Sequence, residues 1–303
     1  MRVTFLGTAA ARPTVGRNVS SLVVQREGDT MVFDCGEGTQ RQMMRYGTGF
    51  SFSEIYFTHL HADHFLGVIG LLRTLGLQAR EEPMDLYTPR GTETLLRQAV
   101  DLGVERVPFE VRIRGLDHGE SVDHGDYEVA AFRTQHGGKS LGYAVVEHPR
   151  LGRFNAALAR EMGIPEGPLW GKLHHGHAVE VDGRTITPAE VVGQPRPGRK
   201  VVYSGDTRPC KATREISAGA DLLIHEATFA ADESARAAQT GHSTARDAAE
   251  VAASAGVLRL ALTHFSPRYA DEPRILEREA REVFPEVVAA YDGLVLEVPY
   301  RSE

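Results

Sequence analysis

Cysteine is almost absent: Cys35 and Cys210 are the two thiols in a chain of 303 residues. Two thiols cannot build a disulfide framework, so the stapled secreted scaffolds are excluded and a reducing cytoplasm is the expected compartment. Long apolar runs are missing as well. No stretch nears the roughly 20 residues a membrane helix requires. The opening Met1-Arg2-Val3-Thr4-Phe5-Leu6-Gly7 reads as a strand entering a glycine turn rather than as a signal peptide. Positive charge is not in excess: 34 Lys and Arg face 41 Asp and Glu, a formal charge of −7. A nucleic-acid partner would have to be met by a local patch against the overall field. The 42% hydrophobic content is that of an ordinary globular chain, with enough core for one large domain or two small ones. Histidine, at 13 residues, is the unusual count.

The first quarter alternates short strand-like runs with helix-like ones. Strands are predicted at residues 3–7, 21–25 and 31–35, and a helix at 39–46 with Thr39 as its N-cap. A buried strand at 54–58 empties into a histidine cluster, and apolar residues at helical spacing follow from 65 to 77. The rhythm continues with a strand at 84–88 and a helix at 92–102, then strands and turns from 109 to 142. Beyond residue 200, strands are predicted at 200–203, 221–225, 259–263 and 294–298. Helices are predicted at 244–255, with Ser243 or Thr244 near the cap, and at 273–283. Layers of helix, sheet, sheet and helix in one α/β domain spanning 1–303 follow from this order.

Residues 149–200 interrupt the pattern with six prolines and eight glycines, and show helical periodicity only at 155–162. The stretch is too long for a plain connection, so it is an insertion with its own job or a disordered linker. Eight Lys or Arg against five Asp or Glu give it a local excess of +3, leaving −10 on the rest of the chain.

Thr58-His59-Leu60-His61-Ala62-Asp63-His64 carries the chemistry. In an extended or turning backbone His59 and His61 project to one side, with Asp63 and His64 beside them for a second ion. Imidazole nitrogen and carboxylate oxygen suit Zn²⁺ or a neighbouring first-row metal. A solvated polar loop is the mundane reading, but chance rarely yields this spacing at a strand end. Three further ligand types stand at similar strand-to-loop positions: His136, Asp206 and His264. Each alone reads as a turn histidine, a turn-forming aspartate and a packed strand terminus. Together with the cluster they point to a binuclear centre.

His59 to His64 followed by His136, Asp206 and His264 resembles the metallo-β-lactamase superfamily. Phe33-Asp34-Cys35-Gly36-Glu37-Gly38-Thr39-Gln40, Asn18-Val19-Ser20-Ser21 and Ser204-Gly205-Asp206-Thr207-Arg208-Pro209 are similar, more narrowly, to the ribonuclease Z (tRNase Z) family. So are His225-Glu226-Ala227-Thr228-Phe229 and Gly241-His242-Ser243-Thr244-Ala245. The resemblance runs over essentially the whole chain. It implies a four-layer αβ/βα sandwich, with two ions at the edge of facing sheets. His59, His61 and His136 would hold one, Asp63, His64 and His264 the other, and Asp206 would bridge them. It implies an endonuclease that removes the 3′ trailer of a tRNA precursor by attack of a hydroxide bridging the metals. Asp63 would hold or accept a proton, His242 would act as general acid, and Glu226 would orient it. Zn²⁺ is the expected metal, with Mn²⁺ or Fe²⁺ accepted by the same donors.

The run from Gly163 to Leu173 resembles this family's flexible arm, so 149–200 is expected to grip tRNA, with Arg150, Arg153, Lys172, Arg184, Arg196, Arg199 and Lys200 as cations for phosphate. Trp170 would anchor the arm or stack on a base. His174-His175-Gly176-His177 stands where the family usually carries lysine or arginine. A homodimer is implied by the resemblance alone. Two other readings use the same residues: a small-molecule ester, lactone or sulfate hydrolase, which needs no arm, and a metal- or tRNA-binding protein without turnover, against which the full ligand set speaks.

Overall fold

A computed structural model describes residues 1–270, 272 and 274–301. Its larger compact unit comprises residues 1–146 and 199–303, and a smaller unit comprises 147–198. In chain order the strands are β1 (Arg2–Gly7), β2 (Ser21–Arg26), β3 (Asp29–Phe33), β4 (Glu54–Tyr56), β5 (Met84–Pro89), β6 (Val111–Leu116), β7 (Ser121–Asp123), β8 (Tyr127–Arg133) and β9 (Leu141–Glu147). Then come β10 (Val179–Val181), β11 (Arg184–Ile186), β12 (Lys200–Tyr203), β13 (Leu222–Glu226), β14 (Leu260–Thr263), β15 (Val287–Ala289) and β16 (Val295–Glu297).

Two seven-stranded sheets result, in the orders β16-β1-β2-β3-β4-β5-β6 and β15-β14-β13-β12-β9-β8-β7. Strand alternation explains the layers. In β1, Val3 and Phe5 enter a core shared with Leu222 and Ile224 of β13, whereas Leu6 turns outward to Val68, Leu71 and Leu72 of the helix Gly67–Leu77. In β13, Leu223 turns the other way, to Ala248, Ala249 and Ala252 of the helix Ala245–Ala255. Strands buried on both faces read as continuous apolar runs, as parallel sheets covered by helices require. Phe33, Tyr56 and Tyr87 stack in series in the first sheet, with ring centroids 5.2 and 4.6 Å apart.

Three local expectations need correction. Thr39 is the first residue of the helix Thr39–Tyr46, not its cap: Gly38 takes that place at φ 80°, and the Thr39 hydroxyl donates back to the Gly36 carbonyl at 2.7 Å. At the other predicted cap, Thr244 forms a capping box with Asp247. The helix predicted from 273 is observed at Arg274–Arg281, residue 273 lying outside the described residues.

The second correction concerns 149–200, where helix is not confined to 155–162 and a folded unit with its own core replaces the disordered-linker alternative. The unit 147–198 folds three short helices, Ala156–Glu161, Pro168–His174 and Pro188–Val191, with the β10–β11 hairpin. Ala159, Ile164, Leu173, Val179, Ile186 and Val191 bury together. The helices are too short to display a period, and Pro168 and Pro188 start helices instead of breaking them. Trp170 packs on Phe154 at 5.1 Å and donates its ring N–H to the Ile164 carbonyl at 3.2 Å, an anchoring role.

The third correction is the boundary. Arg199 and Lys200 lie in the larger unit: Arg199 is buried over the Tyr300 ring, and the Lys200 ammonium donates to the Ile216 and Ala218 carbonyls. Neither belongs to the insertion.

Candidate metal centre

Parallel strands deliver their functional groups off their carboxyl ends. From β4 the chain runs through Phe57 and Thr58 to His59 and His61, then enters the short helix Ala62–Phe65, which carries Asp63 and His64. The second half of the cluster is thus helical, not extended. β8 leads to His136, β12 to Asp206, β13 ends on Glu226, and β14 leads to His264. His242 sits between the helix Ser234–Thr240 and the helix Ala245–Ala255.

Close approach is purchased with glycine at two points. A Cβ on Gly205, at φ 58°, would meet Thr58 at 2.7 Å, and one on Gly36 would meet the Asp63 carbonyl at 2.3 Å. Any side chain at either place would push the Asp206 turn or the histidine loop outward.

Asp206 lies at the middle of the seven predicted ligands. Its Oδ1 is 3.3 Å from His64 Nε2, and its Oδ2 is 3.3 Å from His264 Nε2, 3.7 Å from His59 Nε2 and 3.8 Å from His136 Nε2. Asp63 Oδ2 stands 3.6 Å from His64 Nε2 and 3.4 Å from His264 Nε2. His136 Nε2 faces His61 Nδ1 at 3.1 Å, and His64 Nε2 faces His264 Nε2 at 3.4 Å. The groups fall into one set of His59, His61, His136 and Asp206, and another of Asp63, His64 and His264. A third grouping, Asp206, His242 and His264, shares members with both.

The donor set fits divalent cations. His59 Nε2 and Asp206 Oδ1 are buried without a hydrogen-bond partner, and imidazole nitrogens converge in pairs that a cation between them would satisfy. The carboxylates of the centre attract positive charge. Burial penalises charge on His64, yet Asp206 and Asp34 on either side raise it well above the ordinary imidazole range. Burial likewise opposes ionisation of Asp206, but His264 and His64 hold it well below the usual carboxylate range. Burial and the neighbouring His64 lower His59 well below its ordinary value, leaving it the neutral form that binds metal.

Behind the ligands stands a set of residues that sequence reading did not single out. Fully buried Asp34 accepts from the Thr58 N–H at 2.8 Å, the Tyr203 hydroxyl at 2.9 Å and His64 Nδ1 at 2.8 Å. Thr228 Oγ1 meets His264 Nδ1 at 2.9 Å, the Gly241 carbonyl meets His136 Nδ1 at 2.9 Å, and Thr58 Oγ1 meets His59 Nδ1 at 3.0 Å. Each contact fixes the ring so that its other nitrogen faces the cluster. A strand-end aspartate before Cys-Gly was the one available sequence signal. Asp34→Asn is expected to lower metal affinity about 10–100-fold. Chelator competition checks it, and unchanged affinity would mean that the packing of β3 and β4 alone orients His64.

Glu226 is fully buried and organises the other side of the site. Its Oε1 accepts from the Thr207 N–H at 2.7 Å and from His242 Nδ1 at 2.9 Å, while Oε2 accepts from the Thr228 hydroxyl at 2.6 Å and the Ser243 N–H at 3.1 Å. Burial works against a charge on His242, but attraction to Glu226 and their hydrogen bond outweigh it and raise its pKa to about 9. His242, His61, Asp63, Asp206 and His264 open onto a cavity of about 240 Å³ whose wall also includes Ala11, Phe229 and Arg236. Residue 11 takes part directly, its backbone N–H donating to Asp63 Oδ2 at 2.7 Å. His225, left without a role by the sequence, is a buried strand residue bonded to the Glu226 carbonyl.

Two facing sheets covered by helices, with a His/Asp cluster at their strand ends, define a hydrolase of the metallo-β-lactamase class. The Beta-lactamase superfamily domain matches residues 172–265, and the Anti-Pycsar protein Apyc1 family matches residues 1–150. The Ribonuclease Z of Gemmatimonas aurantiaca is 56% identical, over 99% of this chain and 97% of its own. That of Myxococcus xanthus is 53% identical, over 100% and 99%. Among solved structures, human tRNase Z, short form, aligns with a TM-score of 0.70 at 30% identity, covering 99% of this chain and 100% of that one. The chain belongs to the ribonuclease Z family.

Proposed function

We infer that the protein is a metal-dependent endoribonuclease that removes the 3′ trailer from tRNA precursors and leaves a 3′ hydroxyl on the tRNA. The observation that carries the reading is the joining, at one cavity, of the His/Asp cluster with an imidazole anchored to a buried glutamate, in a chain of this family. A phosphodiester needs both, because its ribose alkoxide departs poorly without a proton.

Two divalent ions, proposed as Zn²⁺, would be held by His59, His61 and His136 and by Asp63, His64 and His264, with Asp206 shared. They would supply Lewis acidity toward phosphate and water at neutral pH. Asp63 uses Oδ2 to accept the Ala11 N–H, which leaves Oδ1 to take the proton of the attacking water. His242 Nδ1 is engaged by Glu226, so Nε2 is the atom that delivers a proton to the departing 3′ oxygen. Glu226 keeps that ring in place and balances its charge.

The test uses a precursor tRNA with a 3′ trailer and a chromogenic phosphodiester, each with native, EDTA-treated and Zn²⁺- or Mn²⁺-resupplied protein. Metal-dependent cutting at one position beside the acceptor stem is expected. Hydrolysis of the small diester alone would assign the site to a small-molecule hydrolase instead.

The unit 147–198 is proposed as the tRNA-gripping arm. Support comes from its separate core and exposed Lys172, although Arg160 and Arg184 are engaged by Glu166 and Glu190. Its ends are close: a Cβ on Gly152 would meet the Gly193 carbonyl at 1.8 Å. Replacing residues 153–193 by a short glycine link is therefore expected to weaken precursor binding about tenfold or more while sparing small-diester hydrolysis. Equal loss of both activities would place the unit in the catalytic body. A homodimer, checked by sedimentation, and a cytoplasmic setting complete the proposal. Both cysteines are buried and free, and no described helix is long and apolar enough to cross a membrane.

A further inference from the structure

One cation in the wall of the metal-site cavity has no carboxylate partner among the described residues: Arg236, on the helix Ser234–Thr240. Its guanidinium lies over the Phe229 ring, 5.8 Å from the centroid. Arg268 stands at the same distance from that ring, but Glu233 neutralises it. Phe229 is itself fixed. Its N–H donates to the Ser243 carbonyl, its carbonyl accepts from the Ala245 N–H at 2.9 Å, and its side chain is buried. The ring also meets His242 edge-on, with centroids 6.2 Å apart. One rigid aromatic ring therefore sets the spacing between the proton donor and an uncompensated positive charge.

We propose that Arg236 is a phosphate-binding residue that grips the RNA phosphate one nucleotide upstream of the scissile one, on the strand that is retained. The assignment rests on the endonuclease reading above. His242 faces the departing 3′ oxygen, which belongs to the retained strand, so groups on its side of the cavity meet that strand. The next phosphate upstream is the nearest anion there, and a chromogenic diester lacks it. The centre itself would engage the scissile phosphate, so a guanidinium beside it supplies a separate cation for the next phosphate along the backbone. Arginine suits the task because its fork matches phosphate oxygens and its planar face rests on the phenyl ring.

The test pairs Arg236→Ala with removal of the phosphate charge, in the full-length, metal-loaded protein. Precursor RNA is made with a neutral methylphosphonate at the linkage upstream of the cut, at the linkage downstream of it, or at neither. Arg236→Ala is expected to lower kcat/KM on unmodified RNA about 10–100-fold and to leave bis(p-nitrophenyl) phosphate hydrolysis within about twofold. On the upstream-modified RNA the substitution should add less than about twofold, because its partner charge is already gone. Arg236→Lys should recover part of the loss, as a charge without the fork. Coupling to the downstream linkage, multiplicative effects with the upstream one, or equal loss on the small diester would each overturn the assignment. Wild-type protein that hydrolyses the diester but cuts no RNA would instead overturn the endonuclease reading, and the Arg236 assignment with it.

Discussion

Asp206→Ala is expected to abolish RNA cleavage, a fall of at least about 10³-fold, and to strip the protein of bound metal. The reason lies in its contacts: one carboxylate stands within 3.8 Å of nitrogens from His59, His64, His136 and His264, members of both ligand sets. Removing it leaves Asp63 as the one carboxylate among the proposed ligands to balance two cations. Asp206→Asn keeps the shape and one oxygen but loses the charge, so it should retain less metal than wild type and more than the alanine variant. Elemental analysis of dialysed protein, run beside the cleavage assay, reads both effects. Near-normal cleavage by Asp206→Ala in chelator-treated buffer would sink the two-ion centre.

His242→Ala carries the second large effect. Loss of a general acid is expected to lower kcat on precursor RNA by about 10²–10⁴-fold with metal content unchanged. The leaving group sharpens the test. A p-nitrophenolate departs without a proton, so hydrolysis of a p-nitrophenyl nucleotide ester should fall far less than RNA cleavage. His242 also lies within ligand distance of Asp206 and His264, which gives the contrary result a meaning. If the variant loses metal, or loses both activities equally, the imidazole is a ligand and not the acid. Glu226→Gln should resemble His242→Ala in kcat and also destabilise the fold. Donors from Thr207, Thr228, Ser243 and His242 converge on that carboxylate, and an amide nitrogen would face one of them donor to donor.

The candidate ligands were legible as a cluster because metal chemistry needs few residue types, and this chain places them where strands end. Val201 and Val202, like Leu222 and Leu223, show why the layers were readable too: apolar residues on both faces of short strands announce a sheet covered on each side. Asp34 was not readable as a positioning group. Nothing in its local sequence separates an aspartate that orients His64 from one that merely turns the chain, and its backbone at φ 54° would suit either. The insertion was legible only in part, for another reason. Its helices run to seven residues at most, less than two full turns beyond their caps, so no apolar stripe accumulates. Its prolines looked like breakers when two of them are helix starts. Arg236 was invisible in principle, since its lack of a carboxylate partner among the described residues is a property of three dimensions.

The proposed ligand set spans the chain from His59 to His264 and draws on both sheets, which bears on how the enzyme is made. A chain emerging from the ribosome completes the first three histidine positions early, yet it lacks Asp206 until two-thirds of its length is out and His264 until later still. Tight ion capture is therefore a late event in biogenesis, and metal-binding free energy stabilises the finished fold far more than any nascent portion of it. A chain truncated before β14 is expected to hold metal loosely and to unfold without the upward thermal shift that a divalent cation is expected to give the complete protein. In the cell, scarcity of the metal would then be felt as accumulation of apo-protein open to proteolysis, before any effect on the turnover of molecules already loaded.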